Sequence, residues 1–247
     1  MGLTIDERVA REQAFHEQRF DGFDRRESQK KYYWAIWDGA EKYMQTVTEF
    51  SKNANVLEYG CGDADNWRQV GPYAKAMVGI DISNAAVTRL RNECLLSNVT
   101  FEVMDAHKLD FDDGSFDVVF GSGIIHHLDT ERSAKEIARV LRPGGRAIFW
   151  EPLGLNPLIN AYRKATPNAR TVDEHPLMPK DYEILQREIG EGQLQFFGLC
   201  TILSVPITES RFRTITFNSL RKFDRLVGKL PGIRYLSWYC LSTLTKK

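Results

Sequence analysis

Val56-Leu57-Glu58-Tyr59-Gly60-Cys61-Gly62-Asp63-Ala64 is the stretch whose reading decides the fold. Residues of strand character run into a Gly-x-Gly turn, and the residues beyond the turn can open a helix. Glycine lacks Cβ, so a ligand can lie against the main chain, and N–H groups left free by the turn are expected to point outward. Asp81 ends the next apolar run, 19 residues after Gly62. An acid at that place suits a ribose, because a carboxylate can accept from both hydroxyls. The dinucleotide pattern G-x-G-x-x-G/A needs a small residue at position 65, where Asp65 would repel a pyrophosphate. Ala64 nearly completes G-x-G-x-G instead, so the register favours a nucleoside without a pyrophosphate.

Working outward, Val56–Tyr59, Met77–Asp81, Val99–Met104, Asp117–Phe120 and Ala147–Trp150 are short apolar runs, most followed by a helical pattern. Arg89–Leu96 and Ser133–Leu141 are the clearest helices, the second stopped by Pro143-Gly144-Gly145. This alternation predicts an α/β fold with a parallel sheet covered on both faces. Upstream, Thr4–Phe20 reads as a capped helix, and a second helical stretch runs from about Ser28 to Phe50. Residues 1–50 are therefore an N-terminal helical cap and 51–247 the main domain. Within it, 152–191 holds five prolines and reads as a lid insertion. Gln193–Val205 and Ser237–Leu244 read as later strands. Between them lies a basic amphipathic insertion, 206–236, with apolar residues at helical spacing from Phe217 to Leu230.

Five successive motifs resemble those of class I S-adenosylmethionine-dependent methyltransferases, specifically the small-molecule (type 11) branch. They are VLEYGCGDA, GIDIS, the Asp105-Ala106 pair in VMDAHKLDF, SFDVVFGSGIIHHL and LRPGGRAIFWEP, and they span about Val56 to Glu151. The departure is Ala64 in place of a third glycine. The resemblance implies a Rossmann-like, doubly wound, seven-stranded sheet whose last strand is antiparallel. It also implies S-adenosyl-L-methionine as cofactor. Glu58, Gly60, Cys61 and Gly62 then lie near its methionine part, Asp81 and Ile82 at the ribose, Asp105 and Ala106 at the adenine, and Gly121 and Ser122 beside the sulfonium.

Methyl transfer from a sulfonium needs an aligned acceptor, and some acceptors also need a proton removed. Candidate bases should lie on loops at the carboxyl ends of the strands. His126 and His127 follow the fourth strand, and histidine titrates near neutral pH. Glu151 ends the fifth strand and, with His175, is a candidate acid/base or hydrogen-bonding pair. His175 belongs to a polar cluster, Arg170 to Leu177, in which Asp173 and Glu174 read as solvated loop. Tyr32, Tyr33, Trp34 and Trp37 read by default as the packed face of a helix; Tyr33 and Trp34 are also candidates to roof the acceptor, and His16 and Arg19 are weaker ones. No D/N-P-P-Y motif follows strand four and no Asp/Asn cluster stands near strands four and five, so neither DNA amino-methylation nor a metal is expected.

Composition is ordinary for a globular chain, with 43% apolar and 27% charged residues. The four cysteines form no C-x-x-C pair, which fits free thiols in a cytoplasmic protein. No apolar run reaches the roughly 18 residues of a membrane span. Net charge is zero, but residues 205–247 hold nine basic and two acidic residues against 24 and 31 before them. The basic segment reads first as a docked helix. The second choice is a peripheral membrane contact through 217–230 or a dimer contact, leaving oligomeric state open. A run of cations without a stacking platform does not indicate nucleic acid. The function expected is methylation of an oxygen, nitrogen or carbon of a small metabolite, of natural-product or glycan type. Alternatives are a lipid-linked or protein acceptor, or a non-catalytic S-adenosylmethionine-binding module.

Overall fold

The computed structural model describes residues 7, 9–14, 33–62, 64–166, 174–205, 207, 210–230 and 232–247. Thr4, His16, Arg19, Tyr32 and Arg170 to Asp173 lie outside the described residues. Of the first expected helix, residues 9–14 are helical.

Seven strands form one sheet: β1 (Asn55–Tyr59), β2 (Ala76–Asp81), β3 (Val99–Val103), β4 (Phe116–Ser122), β5 (Leu141–Pro152), β6 (Gly192–Phe197) and β7 (Tyr239–Thr245). Their order is β3-β2-β1-β4-β5-β7-β6. The first five pair in parallel, and β7 runs antiparallel between β5 and β6. The order reverses between β1 and β4, so the carboxyl ends of these strands open the crevice where such sheets take ligands.

Alternate residues of each strand serve opposite faces. Leu57, Val119 and Phe149 pack with Ile137 of α4 (Thr130–Val140) and Leu185 of α6 (Pro179–Glu188). Val56, Val118 and Ile148 pack with Tyr43 and Val47 of α1 (Trp37–Phe50) and with Val87 and Leu90 of α3 (Asn84–Glu93). The short α2 (Trp67–Val70) follows the glycine turn. Helix starts follow local chemistry. Ser83 caps α3, Asp129 caps α4, and Asn156 accepts from two backbone N–H groups at the head of α5 (Pro157–Ala165), where proline loses no helical bond. The Asp181 carboxylate accepts from Met178 N (2.8 Å) at the start of α6 and from Thr130 Oγ1 (3.3 Å), joining α6 to α4.

Several boundaries differ from the sequence expectations. The strand expected over Gln193–Val205 ends at Phe197, because Gly198 turns the chain at φ +78° and Thr201–Ser204 forms a 3-10 turn. Pro143-Gly144-Gly145 lies inside β5: α4 passes into the strand at Leu141, and only Gly144 takes a positive φ. The helix expected over Phe217–Leu230 is α7, Ser210–Val227.

Gly39 lets α1 lie close to the sheet, since an added Cβ would fall 2.4 Å from the Trp150 ring and 2.7 Å from that of Phe197. Gly39→Val should therefore destabilise the fold by about 2 kcal/mol, read as a lowered urea midpoint. An unchanged midpoint would mean that α1 is not seated as described.

Candidate active site

The glycine turn is built differently from the expected cradle of outward N–H groups. Gly60 N and Cys61 N both donate to Ile80 O, at 2.9 and 2.8 Å. Gly62 N donates to Asp81 Oδ2 at 2.7 Å. The turn thus offers bare Cα surface and carboxylates, with Gly60 at φ +75° and Gly62 at φ +50°. Asp81 also accepts from Ser83 N at 2.9 Å, through Oδ1. Each of its oxygens keeps acceptor capacity, as a diol requires. Cys61, in the middle of the turn, is fully buried, and Ile82, after Asp81, is half-buried.

Glu58 sits beneath the turn with 2% of its surface exposed. Its Oε1 accepts from Asn66 Nδ2 at 2.6 Å, and its Oε2 is buried with no hydrogen-bond partner. Burial pushes the carboxyl up to about 8, aided by Asp81 and Asp65 and opposed by the Asn66 bond. Asp65, expected to repel a pyrophosphate, faces Arg68 and Arg89, each at 3.7 Å.

Asp105 is fixed by His107, a residue of VMDAHKLDF to which the motif gives no role. His107 donates to Asp105 Oδ1 from its backbone N and from Nδ1, both at 2.8 Å, while its Nε2 accepts from Asp129 N at 3.0 Å. Burial opposes it, but these bonds hold the Asp105 carboxyl below its usual range. The neighbouring Ala106 carbonyl accepts from the buried Tyr59 hydroxyl.

The loop after β4 is organised by Glu151, 1% exposed at the end of β5. Its Oε1 accepts from Ile124 N and Ile125 N, both at 2.9 Å, and its Oε2 faces His126 Nδ1 at 2.7 Å. His126 Nε2 faces Glu174 Oε1 at 3.2 Å. Burial disfavours charge on His126, but hydrogen bonds and attraction from Glu151 and Glu174 outweigh it and raise the imidazole to about 9. The His127 ring lies 4.2 Å from that of His126, and its Nδ1 is 3.2 Å from Glu12 Oε2. Burial, and then the charge on His126, hold His127 below its ordinary value. So a charged and a neutral imidazole stand side by side at neutral pH. His126, His127 and Glu174 offer one ligand atom each within 4.8 Å of one another. The His126 imidazolium already lies between the carboxylates of Glu151 and Glu174, so the cluster has a cation of its own.

Residues 57–149 match the family model described as "Methyltransferase domain". The chain is 37% identical over 97 residues to 27-O-demethylrifamycin SV methyltransferase of Amycolatopsis mediterranei (strain S699), covering 37% of this chain and 36% of that one. It is 32% identical over 119 residues to phosphoethanolamine N-methyltransferase 2 of Caenorhabditis elegans, covering 46% and 27%. The chain thus spans about a third of the length of these curated relatives. Among solved structures it resembles the N-methyltransferase NodS of Bradyrhizobium japonicum WM9 in complex with S-adenosylhomocysteine. The TM-score is 0.60 at 14% identity, over 95% of this chain and 97% of that one. Residues 57–149 are thus similar to a methyltransferase domain, and the chain shares its fold with NodS.

The residues present fit S-adenosylmethionine, the cofactor that the resemblance implies. The unpartnered Glu58 Oε2 suits an ammonium, Asp81 a diol, and Gly62 leaves open surface, with only Asp81 Oδ2, at 3.7 Å, near an added Cβ. Gly121 has a packing role, since a Cβ there would strike Tyr59 O at 2.6 Å and the Ile124 side chain at 2.8 Å. Ser122 is exposed at the end of β4.

Three expectations for the acceptor side are corrected. The partner of Glu151 is His126; His175 is half-buried and joins the cluster through its backbone N, which donates to His126 O at 2.8 Å. Glu174 is packed on His126 with 14% of its side chain exposed, because the lid strand-bridge Leu153–Leu177 folds that segment inward. Trp34 turns toward Trp37 and Phe217, at 6.1 and 5.9 Å, and so meets α7 rather than the histidines. Tyr33 stacks on Trp238 at 5.8 Å, beside the β5–β7 end.

Asp81→Ala should weaken S-adenosylhomocysteine binding roughly ten- to hundredfold by calorimetry, and unchanged affinity would refute the ribose placement. A second outcome concerns pH. His126 has a folded value of about 9 against an ordinary 6.5, so its ion pairs contribute fully below pH 6.5 and are lost as pH rises through about 9. Glu58, raised from 4.5 to about 8, acts with the same sign. The melting temperature should fall from pH 6.5 to 9, with a shallower fall in His126→Gln. Glu58→Gln should melt higher than the parent at pH 9 and bind S-adenosylhomocysteine more weakly. Parallel curves for parent and variants would contradict both assignments.

Proposed function

We propose that the protein transfers a methyl group from S-adenosylmethionine to an oxygen, nitrogen or carbon of a small metabolite. The observation that carries this reading is the paired histidines, one charged and one neutral, held at the strand ends next to the glycine turn. When bound, S-adenosylmethionine supplies an electrophilic methyl carbon on a sulfonium leaving group. Glu58, Asp81 and Asp105 hold and orient it through the ammonium, ribose and adenine. Glu151 fixes the loop after β4 and sets the His126 ring, and Glu174 closes the other side of that ring.

His127 is the residue suited to take a proton from the acceptor. It is neutral at pH 7, since burial and the adjacent imidazolium both favour the neutral form. His126 remains charged and serves as a positioning residue. Its two ring nitrogens are taken by Glu151 and Glu174, so it acts on the acceptor through the position of the His127 ring, and a natural-product or glycan-type metabolite is the acceptor class proposed. The curated relative that acts on a rifamycin supports the same acceptor class. The packed Glu174–His126 contact supports a catalytic reading over a non-catalytic binding module.

The test is to incubate the protein with methyl-labelled S-adenosylmethionine and fractionated cell extract. Label should enter the small-molecule fraction. Entry only into protein or nucleic acid would refute the proposal. With the acceptor in hand, His127→Ala should slow transfer about a hundredfold with S-adenosylhomocysteine affinity unchanged. The parent rate should fall in acid, below the ordinary histidine range, as His127 gains a proton, and that limb should vanish in the variant. Chelation with EDTA should leave the rate unchanged; its loss would show that the histidine cluster works through a metal.

A further inference from the structure

Helix α7 has two apolar faces. The inner one is docked. Phe217 meets Trp34 and Trp37, Asp224 accepts from Cys200 N at 2.7 Å and Thr201 N at 3.2 Å, and Arg221 reaches Asp38 at 3.6 Å. At about 100° per residue Phe217 stands about 120° from Phe223 and about 180° from Leu226, so the apolar positions expected over Phe217–Leu230 divide between two faces. In the structure Asp224 is turned inward, and Phe223 and Leu226 face away.

Phe212, Ile215, Phe223 and Leu226 form the outer face, exposed by 61, 55, 53 and 67%. At about 100° per residue they fall within an arc of about 80°. The exposed cations Arg211, Lys222 and Arg225 lie along one border of that arc. Leu230 and Lys229, both exposed, continue the same chemistry past the helix end. The inner bonds already hold the helix in place, so the outer row is not needed for folding, and contiguous exposed apolar surface marks an interaction site.

We propose that this outer face docks on an anionic lipid surface. An apolar row bordered by cations is the pattern of a helix lying in a membrane interface, apolar side chains among the acyl chains and cations at the headgroups. Charge selects this occupant over a second copy of the chain. Residues 205–247 carry nine basic and two acidic residues, so two such faces would repel each other. Among the described residues no helix is long and apolar enough to cross a membrane, so the contact is peripheral. Through Phe217 on Trp34 and Trp37, the docked helix connects with α1, which covers the sheet. A membrane-bound protein could thus take acceptors presented at the lipid surface.

The test is flotation of the full chain with vesicles of phosphatidylcholine alone or mixed with phosphatidylglycerol. Binding is expected to the anionic vesicles only, and to weaken with added salt. The double variants Phe223→Ser/Leu226→Ser and Lys222→Glu/Arg225→Glu should each lower partition at least about tenfold. The circular dichroism spectrum and melting temperature should stay unchanged in both, which certifies their folding separately from the methyltransferase reading. Absence of binding by the parent, equal binding to neutral vesicles, or unaffected partition in folded variants would overturn the proposal. So would self-association, without vesicles, that depends on Phe223 and Leu226.

Discussion

The Glu151 carboxylate ties the two halves of the site together. It ends a central strand and is 1% exposed, and from there it receives the N–H groups of Ile124 and Ile125 and the His126 ring. Ile124 then presses on the glycine turn: a Cβ on Gly60 would fall 2.7 Å from its side chain, and one on Gly121 2.8 Å. A single buried carboxyl group therefore sets the loop after β4 and, through one isoleucine, its distance from the glycine turn. A buried carboxylate is costly unless hydrogen-bonded. Here the backbone donors and imidazolium that satisfy it are also the parts that form the site.

This coupling changes the meaning of the glycines. Gly60 and Gly121 are small because Ile124 fills their space, whereas Gly62 leaves open surface facing Asp81. Their backbone N–H groups are largely consumed in holding the turn to β2. Recognition then falls to carboxylates: Glu58 with an unmatched oxygen, Asp81 with two partly used ones, and Asp105 steadied by His107. Three acids around one pocket suit a ligand that brings cationic and hydroxyl groups.

Much of this was legible in the sequence because it is local. A strand, a Gly-x-Gly turn and an acid at the next strand end lie within 26 residues, from Val56 to Asp81; the alternation of strands and helices points to a parallel sheet, and the resemblance implies its seven strands and antiparallel last strand. What escaped depends on distant segments meeting. Glu174 reads as loop because nothing nearby reveals that the lid brings it to His126. The motif around His107 assigns it nothing, and its role appears only when α4 brings Asp129 N to its second nitrogen. The apolar residues of α7 read as one run in the sequence, but at about 100° per residue Phe217 and Leu226 stand about 180° apart, and the docking partner tells which side is inside.

The central claim is that the strand ends of β1, β2 and β4 form the S-adenosylmethionine site that Glu151 couples to the histidines. A crystal structure with S-adenosylhomocysteine tests it most directly. The account predicts the ribose hydroxyls on Asp81, the ammonium on Glu58 and the homocysteine sulfur facing the His126–His127 side. A ligand bound elsewhere, or a ribose away from Asp81, would contradict it.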